Sequence, residues 1–489
     1  MNRRVFFERV FNGESPQPLS ITAGLEPYKP TDKLSMDDAL HLLRRTTFAP
    51  TNDDLQRAMT LTPAQAVAAL FSGNQSPIEP SWGRVNIYTE TFANDQARQT
   101  EYYRRYYEMQ SWWLRLMRTS TFSILENLTL FWHNHFCSDY LKVYYPQLMF
   151  IQNDTFRKNA WGNIKTLTTS MIADPAMLIY LDNITSIKGN PNENFARELL
   201  ELFTLGVNNY TEMDIVEASR ALTGWRINTQ MKGEFRQQLW DPGDKVFKGQ
   251  KGKWNADDIV RIIFEHENCA KYFARKLYKH FVYEIPDEKI VGELAALLRQ
   301  NNYELKPVLQ ILLSSAHFFD MQVRGAMVKS PIEFMVGLSR LFDFTAMPDD
   351  YSINRSNLLT QEILNPPTVE GWKGYHLWVN TNTYPQRQRI AEAFIDGRRN
   401  DNNMNFTVKP DVVAFAKRFP NVNDPRKFIT EATQYLIAFP QGTKGSEYLL
   451  EQLLLNAPDY EWNITMNNVE LRLRSFLQAV LTLPEFQLH

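Results

Sequence analysis

Between Asn190 and Gly206 the chain reads Asn-Pro-Asn-Glu-Asn-Phe-Ala-Arg-Glu-Leu-Leu-Glu-Leu-Phe-Thr-Leu-Gly, and this stretch constrains the fold more than any other. Pro191 suits a first helical turn and Gly206 the residue just past a helix end, so backbone chemistry predicts both boundaries. Phe195, Leu199, Leu202 and Phe203 recur at helical spacing and form one stripe for burial. Glu193, Arg197 and Glu201 fall four apart, where opposite charges pair. Asn192, Glu193 and Asn194 crowd the first turn, where free backbone N–H groups and the helix dipole favour an anion. These residues read either as caps with surface ion pairs or as the edge of a polar site, and both readings stay open here.

Around this helix the sequence predicts a mainly α protein. Residues 1–34 read as an extended, proline-containing lead-in. Residues 35–489 read as one helical domain, with a division into lobes at about 35–330 and 331–489 left open. Ser35 suits the cap of a helix to Arg45, Thr211 opens a capping-box start, and a long helix is expected from about Asp95 to Thr119. The aromatic band on that helix, Tyr102, Tyr103, Tyr106, Tyr107, Trp112 and Trp113, reads as core more readily than as a sugar-stacking surface. Gly233, Gly243, Gly249 and Gly252 punctuate short alternating runs, which predicts a small β-hairpin excursion around 225–254. Strand-like runs elsewhere are too few for a sheet core.

Charge and composition exclude several functions. Lys plus Arg (53) nearly balances Asp plus Glu (55), so no basic excess drives binding to nucleic acid. Cys137 and Cys269 are too few for a disulfide framework, and no apolar run reaches the length of a membrane span. Asn2-Arg3-Arg4-Val5-Phe6-Phe7 resembles a twin-arginine export start, but Glu8, Arg9, Asn12 and Glu14 follow where an apolar region belongs. A cytoplasmic address is therefore the default expectation, and a periplasmic one applies if a partner carries the chain across.

Two groups of residues carry candidate chemistry. His133-Asn-His135 ends an apolar helical run, and imidazoles two apart serve one ion only if the helix stops there. A divalent metal is thus a low-weight option against histidines that bond backbone or carboxylates. The carboxylates Asp182, Glu193, Glu198, Glu201 and Asp241 form the second group, since two carboxyls across a cleft divide acid and base roles. Asp182, Glu193, His133 and His135 are the candidate catalytic set. Asn183, Asn192, Asn194, Arg197, Lys245, Lys329 and Arg387 are candidate polar and anion-holding residues, and Trp225, Trp372 and Trp378 candidate platforms. Asn365-Pro-Pro-Thr-Val-Glu-Gly-Trp-Lys-Gly374 reads as a fixed loop at the rim of the site. No nucleophile elbow, phosphate loop, dinucleotide fingerprint or His-Glu-x-x-His occurs.

Taken in order, His41 to Phe48, Phe131-Trp-His-Asn-His-Phe136, Asp174 to Asn183, Pro191 to Gly206, Ala221-Leu-Thr-Gly-Trp225, Lys329-Ser-Pro331 and Pro366 to Trp372 resemble the bacterial family called domain of unknown function eighteen hundred, DUF1800. The resemblance runs from about Leu34 to Leu483. It implies a mainly helical, envelope-associated or exported protein, often encoded beside a sulfatase-like family, domain of unknown function fifteen hundred and one, and it implies no established reaction. One departure is Trp240-Asp-Pro-Gly-Asp-Lys245, where the family pattern begins with histidine. Two functional classes are consistent with this: a cleft that binds a ligand or hydrolyses an envelope polymer, and a scaffold whose polar cluster is structural. The sequence places Asn192, Glu193 and Asn194 in one pocket with Asp182 and a histidine of the His133/His135 pair.

Overall fold

The computed structural model describes residues 16–30, 32–398, 409–439 and 442–489. The twin-arginine stretch lies outside the described residues. Over the described residues the chain is 56% helical, with only two small antiparallel two-stranded sheets, so it is a mainly α protein. The lead-in crosses the body: Tyr28 N–H donates to Ser314 O at 2.8 Å, and Ala316 N–H to Glu26 O at 2.8 Å.

Helix α1 (Met36–Thr46) starts from a capping box in which Ser35 and Asp38 bond each other's backbone N–H. Helix α2 (Asp95–Thr119) buries Tyr102, Tyr106, Trp112 and Trp113 and leaves Tyr103 64% exposed, so the aromatic band is chiefly core. Helix α3 (Leu125–His135) is buried nearly throughout and carries the histidine pair in its last turn. Helix α4 (Pro175–Tyr180) is capped by Asp174 and leads into the turn that presents Asp182. Helix α5 (Glu193–Glu198) is the predicted central helix. Helix α6 (Glu212–Ala221) precedes the hairpin β1 (Trp225–Ile227) with β2 (Gly233–Phe235), and then β3 (Lys245–Phe247) with β4 (Gln250–Gly252). Helices α7 (Glu267–Phe281), α8 (Pro331–Leu341), α9 (Pro425–Leu436) and α10 (Val469–Thr482) follow, of which α7 and α8 border the site. One apolar core connects residues from Leu34 to Phe486. No helix among the described residues is long and apolar enough to cross a membrane.

The central helix departs from expectation at its start and in its second half, while Gly206 stands just past its end as expected. Asn192, not Pro191, occupies the boundary, and its side chain accepts from Asn194 N–H at 2.9 Å, so helical residues begin at Glu193. From Leu199 to Thr204 the backbone continues as a π-helix, closed by Leu205 N–H on Leu200 O at 2.9 Å, before Gly206 ends it at φ +81°. Each wider turn shifts the angular phase of the residues beyond it. Phe195, Leu199 and Phe203 are buried as expected, but Leu200 takes the buried place expected of Leu202, and Glu201 leaves the Glu193–Arg197 line for Tyr210, whose hydroxyl donates to it.

Candidate functional site

Three consecutive side chains at the end of α3 hold three different segments. His133 Nε2 accepts the Leu364 N–H at 3.1 Å, and its ring lies between Trp113 and Trp372 at 5.4 and 5.6 Å. Leu364 sits at φ +69°, a strained value for a branched residue, and Tyr140 N–H also bonds its carbonyl at 3.0 Å. Asn134 grips Trp372 through its Oδ1 and Nδ2. His135 Nε2 bonds Phe203 O at 3.0 Å, a carbonyl that the end of the π-helix leaves without an intrahelical donor. Burial keeps both histidines neutral, His133 pushed down to about 3 and His135 well below the usual range. The two rings therefore diverge, and among the described residues no three His, Cys, Asp or Glu side chains gather as a metal set.

The loop so anchored forms one wall of a cleft of about 610 Å³, and α7 forms another. Helix α7 is two-faced: Cys269, Phe273 and Leu277 enter the core, whereas Tyr272, Lys276 and His280, spaced by four, line the cleft. The π-helix contributes Glu201 and Leu202. Tyr272 also donates its hydroxyl to Leu202 O, so α7 satisfies a second carbonyl at the end of the central element. Across Phe131 and Trp372 lies a smaller cavity of about 110 Å³, lined by Asn127, Glu333 and His489 and sharing His280 with the cleft. His280 Nε2 bonds Asn127 Oδ1 at 2.7 Å, and burial pushes the ring down to about 4. With the amide oxygen accepting, Nε2 carries the proton and Nδ1 keeps its lone pair.

Charge pairing divides the cleft. Each carboxylate lining it is engaged: Glu201 by Tyr210, Glu284 by His376 at 2.6 Å, and Glu370 by Lys373 at 3.2 Å. Half-buried Lys276 has no hydrogen bond or ion pair among the described residues, its ammonium lying 5.6 Å from the Tyr272 ring centre, and burial lowers its pKa. Beside it His135 Nδ1 is buried without a partner. Other buried cations are committed: Arg157 to Glu126 at 2.7 Å, Arg340 to Asp54 at 2.7 Å, and Arg45 to the carbonyls of Phe281 and Val282. Buried Arg472 is likewise unbonded but lies outside both cavities.

The candidate residues thus separate into groups. Asp182, at φ +59°, pairs with Lys142 at 2.7 Å on the surface. Asn192 and Asn194 donate to Asp182 O and Leu181 O at 3.3 and 3.4 Å, so the start of the central helix does meet the turn after α4. Asn183 is buried beneath and donates to Leu222 O at 3.3 Å. The histidines do not join this group, which corrects the expected single pocket: the amides are satisfied by nearby carbonyls, and each histidine by a different backbone group. Glu193 is exposed, 3.6 Å from Arg197, which pairs more closely with Glu212 at 2.8 Å. Trp225 packs on Phe235 within the hairpin. Asp241 binds Arg220 at 2.7 Å, and Lys245 donates to Asp241 O and Gly243 O while lying 4.8 Å from the Trp240 ring. Lys329 donates to Phe486 O at 2.6 Å and Arg387 to Lys329 O at 2.8 Å, both fully or nearly fully buried. These three cations hold backbone, whereas Trp372 does line the cleft. Sequence reading missed Lys276 and His280; their signal was a Tyr-x-x-x-Lys-x-x-x-His stripe opposite the apolar face of α7.

A mainly helical body with a polar, aromatic-walled cleft at the junction of three sequence motifs is the class that fold and site define. The chain belongs to the family described as Protein of unknown function (DUF1800), whose model matches residues 41–488. No match is found among curated proteins or among solved structures.

Proposed function

We propose that the cleft between α7 and the 365–374 loop binds a small ligand through an anionic group seated on Lys276, with Trp372 as the adjoining wall. The observation that carries this reading is the unpartnered, half-buried ammonium of Lys276 in a chain that pairs or backbone-bonds Arg157, Arg340, Lys245, Lys329 and Arg387. An unpaired charge removed from water is costly, and an incoming carboxylate, phosphate or sulfate relieves that cost. Val207 and Leu377, 60% and 51% exposed at the rim, supply apolar contact for the rest of the ligand.

Binding is favoured over hydrolysis of an envelope polymer because the cleft's carboxylates are each engaged, which leaves no free acid and base pair among them. Within this proposal, an envelope address and a sulfatase-like partner rest on the family resemblance alone. The scaffold reading makes the opposite demand on Lys276, namely that its removal harms the fold.

Titration of the full chain with phosphate, sulfate and acetate tests the proposal. At least one of these anions is expected to bind, and Lys276→Met, which keeps the aliphatic stem, is expected to weaken it about tenfold or more, a loss of about 1.4 kcal/mol. Equal binding by wild type and variant, or a large fall in the melting temperature of the variant, would reject the reading.

A further inference from the structure

Beyond the smaller cavity, with which it shares His489, α1 and α9 face each other across a cavity of about 260 Å³. Asp37, His41 and Arg44 line it from α1, and Thr430, Thr433, Gln434 and Ile437 line it from the α9 side, each set at the spacing of one helix face. The remaining wall joins Met321, Ala438 and Phe439 to Arg324, Ser446 and His489, so its apolar part runs from Ile437 through Ala438 and Phe439 to Met321. The space opens to solvent at Asp37 and Met321, and a concave chamber with an apolar strip and a few convergent polar groups is the form that small-molecule sites take.

The polar groups in it point to the guest's chemistry. Arg44, only 8% exposed, donates through Nη2 to Gln434 O and Tyr435 O at 2.9 and 2.8 Å; its Nε and Nη1 make no bond among the described residues, and no carboxylate there lies within ion-pair distance. Arg324 is neutralised by Asp38 at 2.5 Å, and Asp37 sits at the exposed rim, accepting from Gln434 Nε2 at 2.8 Å. His41 bonds Phe318 O through Nε2 at 2.8 Å. The site therefore carries one guanidinium that no carboxylate bonds, Asp37 acting on it only from the rim, with donors to spare beside the apolar strip of the chamber. A guanidinium fork matches a carboxylate, and the chamber matches an unbranched hydrocarbon tail.

We propose that this cavity is a second binding site, independent of the cleft, for an aliphatic monocarboxylate whose head bonds Arg44 and whose tail lies along Ile437, Ala438 and Met321. Calorimetric titration of the full chain with decanoate, decanol and acetate tests it. Decanoate is expected to bind about tenfold or more tightly than either of the others, because only it satisfies both halves of the site. Arg44→Gln is expected to weaken decanoate about tenfold. If that variant does not fold, Met321→Trp carries the test, since position 321 is 67% exposed and a larger ring there obstructs the chamber without entering the core; it is expected to weaken decanoate about tenfold at an unchanged melting temperature. Lys276→Met is expected to leave decanoate affinity intact. Absent decanoate binding, decanol binding as tightly, unaltered affinity in Met321→Trp, or loss in Lys276→Met would each overturn the assignment.

Discussion

Asn134 holds Trp372 at both polar atoms of its backbone: Oδ1 accepts the Trp372 N–H at 2.8 Å and Nδ2 donates to the Trp372 carbonyl at 3.4 Å. Asn134→Ala removes both bonds and leaves a buried tryptophan backbone without partners, at a cost of about 1–3 kcal/mol. Faster tryptic cleavage at exposed Lys373 is the expected result, with the rest of the chain resistant.

Gly371, one residue earlier, has φ +80°, and a Cβ built there would lie 2.6 Å from Asn134 O and closer still to its Oδ1. Backbone on that side cannot yield as a flexible side chain would. Gly371→Ala is therefore expected to lower stability by roughly 2 kcal/mol or more, in contrast to the small gain that alanine for glycine brings at a compatible site. Chemical denaturation measures it.

Two substitutions that each remove one charge from the interior should act in opposite directions. Glu126→Gln strands Arg157 and weakens a site that also takes the Trp113 indole N–H at 2.8 Å, so a loss of about 3–5 kcal/mol is expected. Lys276→Met removes an ammonium that burial already disfavours, and it should leave stability unchanged or raise it. The penalty that Lys276 imposes is full below its lowered folded pKa and fades as pH rises toward the unfolded value, so any gain in the variant should shrink in strongly alkaline buffer.

Asp174 gives the opposite pH signature. It caps α4 through Met177 N–H at 2.8 Å, and burial raises its carboxyl to about 7 against that bond and one from Gln152. The folded state then holds this proton more tightly than the unfolded chain, whose aspartates titrate near about 3.9. Stability contributed at low pH is lost as pH climbs from about 4 to about 7. Asp174→Asn should match wild type near the acid end and exceed it by on the order of 1 kcal/mol at neutral pH, as read from denaturation midpoints across that range.

Local chemistry made much of the fold legible. Ser35 and Thr211 cap the helices they were expected to cap, and the glycines between Trp225 and Trp254 do mark the small β excursion. The π segment was not legible, because Leu199, Leu200, Leu202 and Phe203 suit either a 3.6-residue or a wider turn, and the choice is made by tertiary partners such as His135 and Tyr272. The site was half legible. His133, His135 and Trp372 do stand at the cleft or its anchor, but Lys276 and His280 look like surface residues of an amphipathic helix until the loop from Val369 to Tyr375 is laid over them. Asp182 and Glu193 drew attention as carboxylates at helix ends, where solvent and neighbouring cations satisfy them equally well.

The bonds made by His133, Asn134 and His135 also set a timetable for biosynthesis. Phe203 follows His135 by 68 residues, but Leu364 and Trp372 follow His133 and Asn134 by 231 and 238. At about 5–20 residues per second on the ribosome, the second pair of partners emerges roughly ten to fifty seconds after the motif itself. Through that interval α3 carries an imidazole and an amide without their native partners beside the apolar faces of Phe131 and Trp132. The nascent chain therefore passes through a long stage in which its central junction is open to chaperones, and to any polar compound that fits, before the last quarter of the sequence closes it.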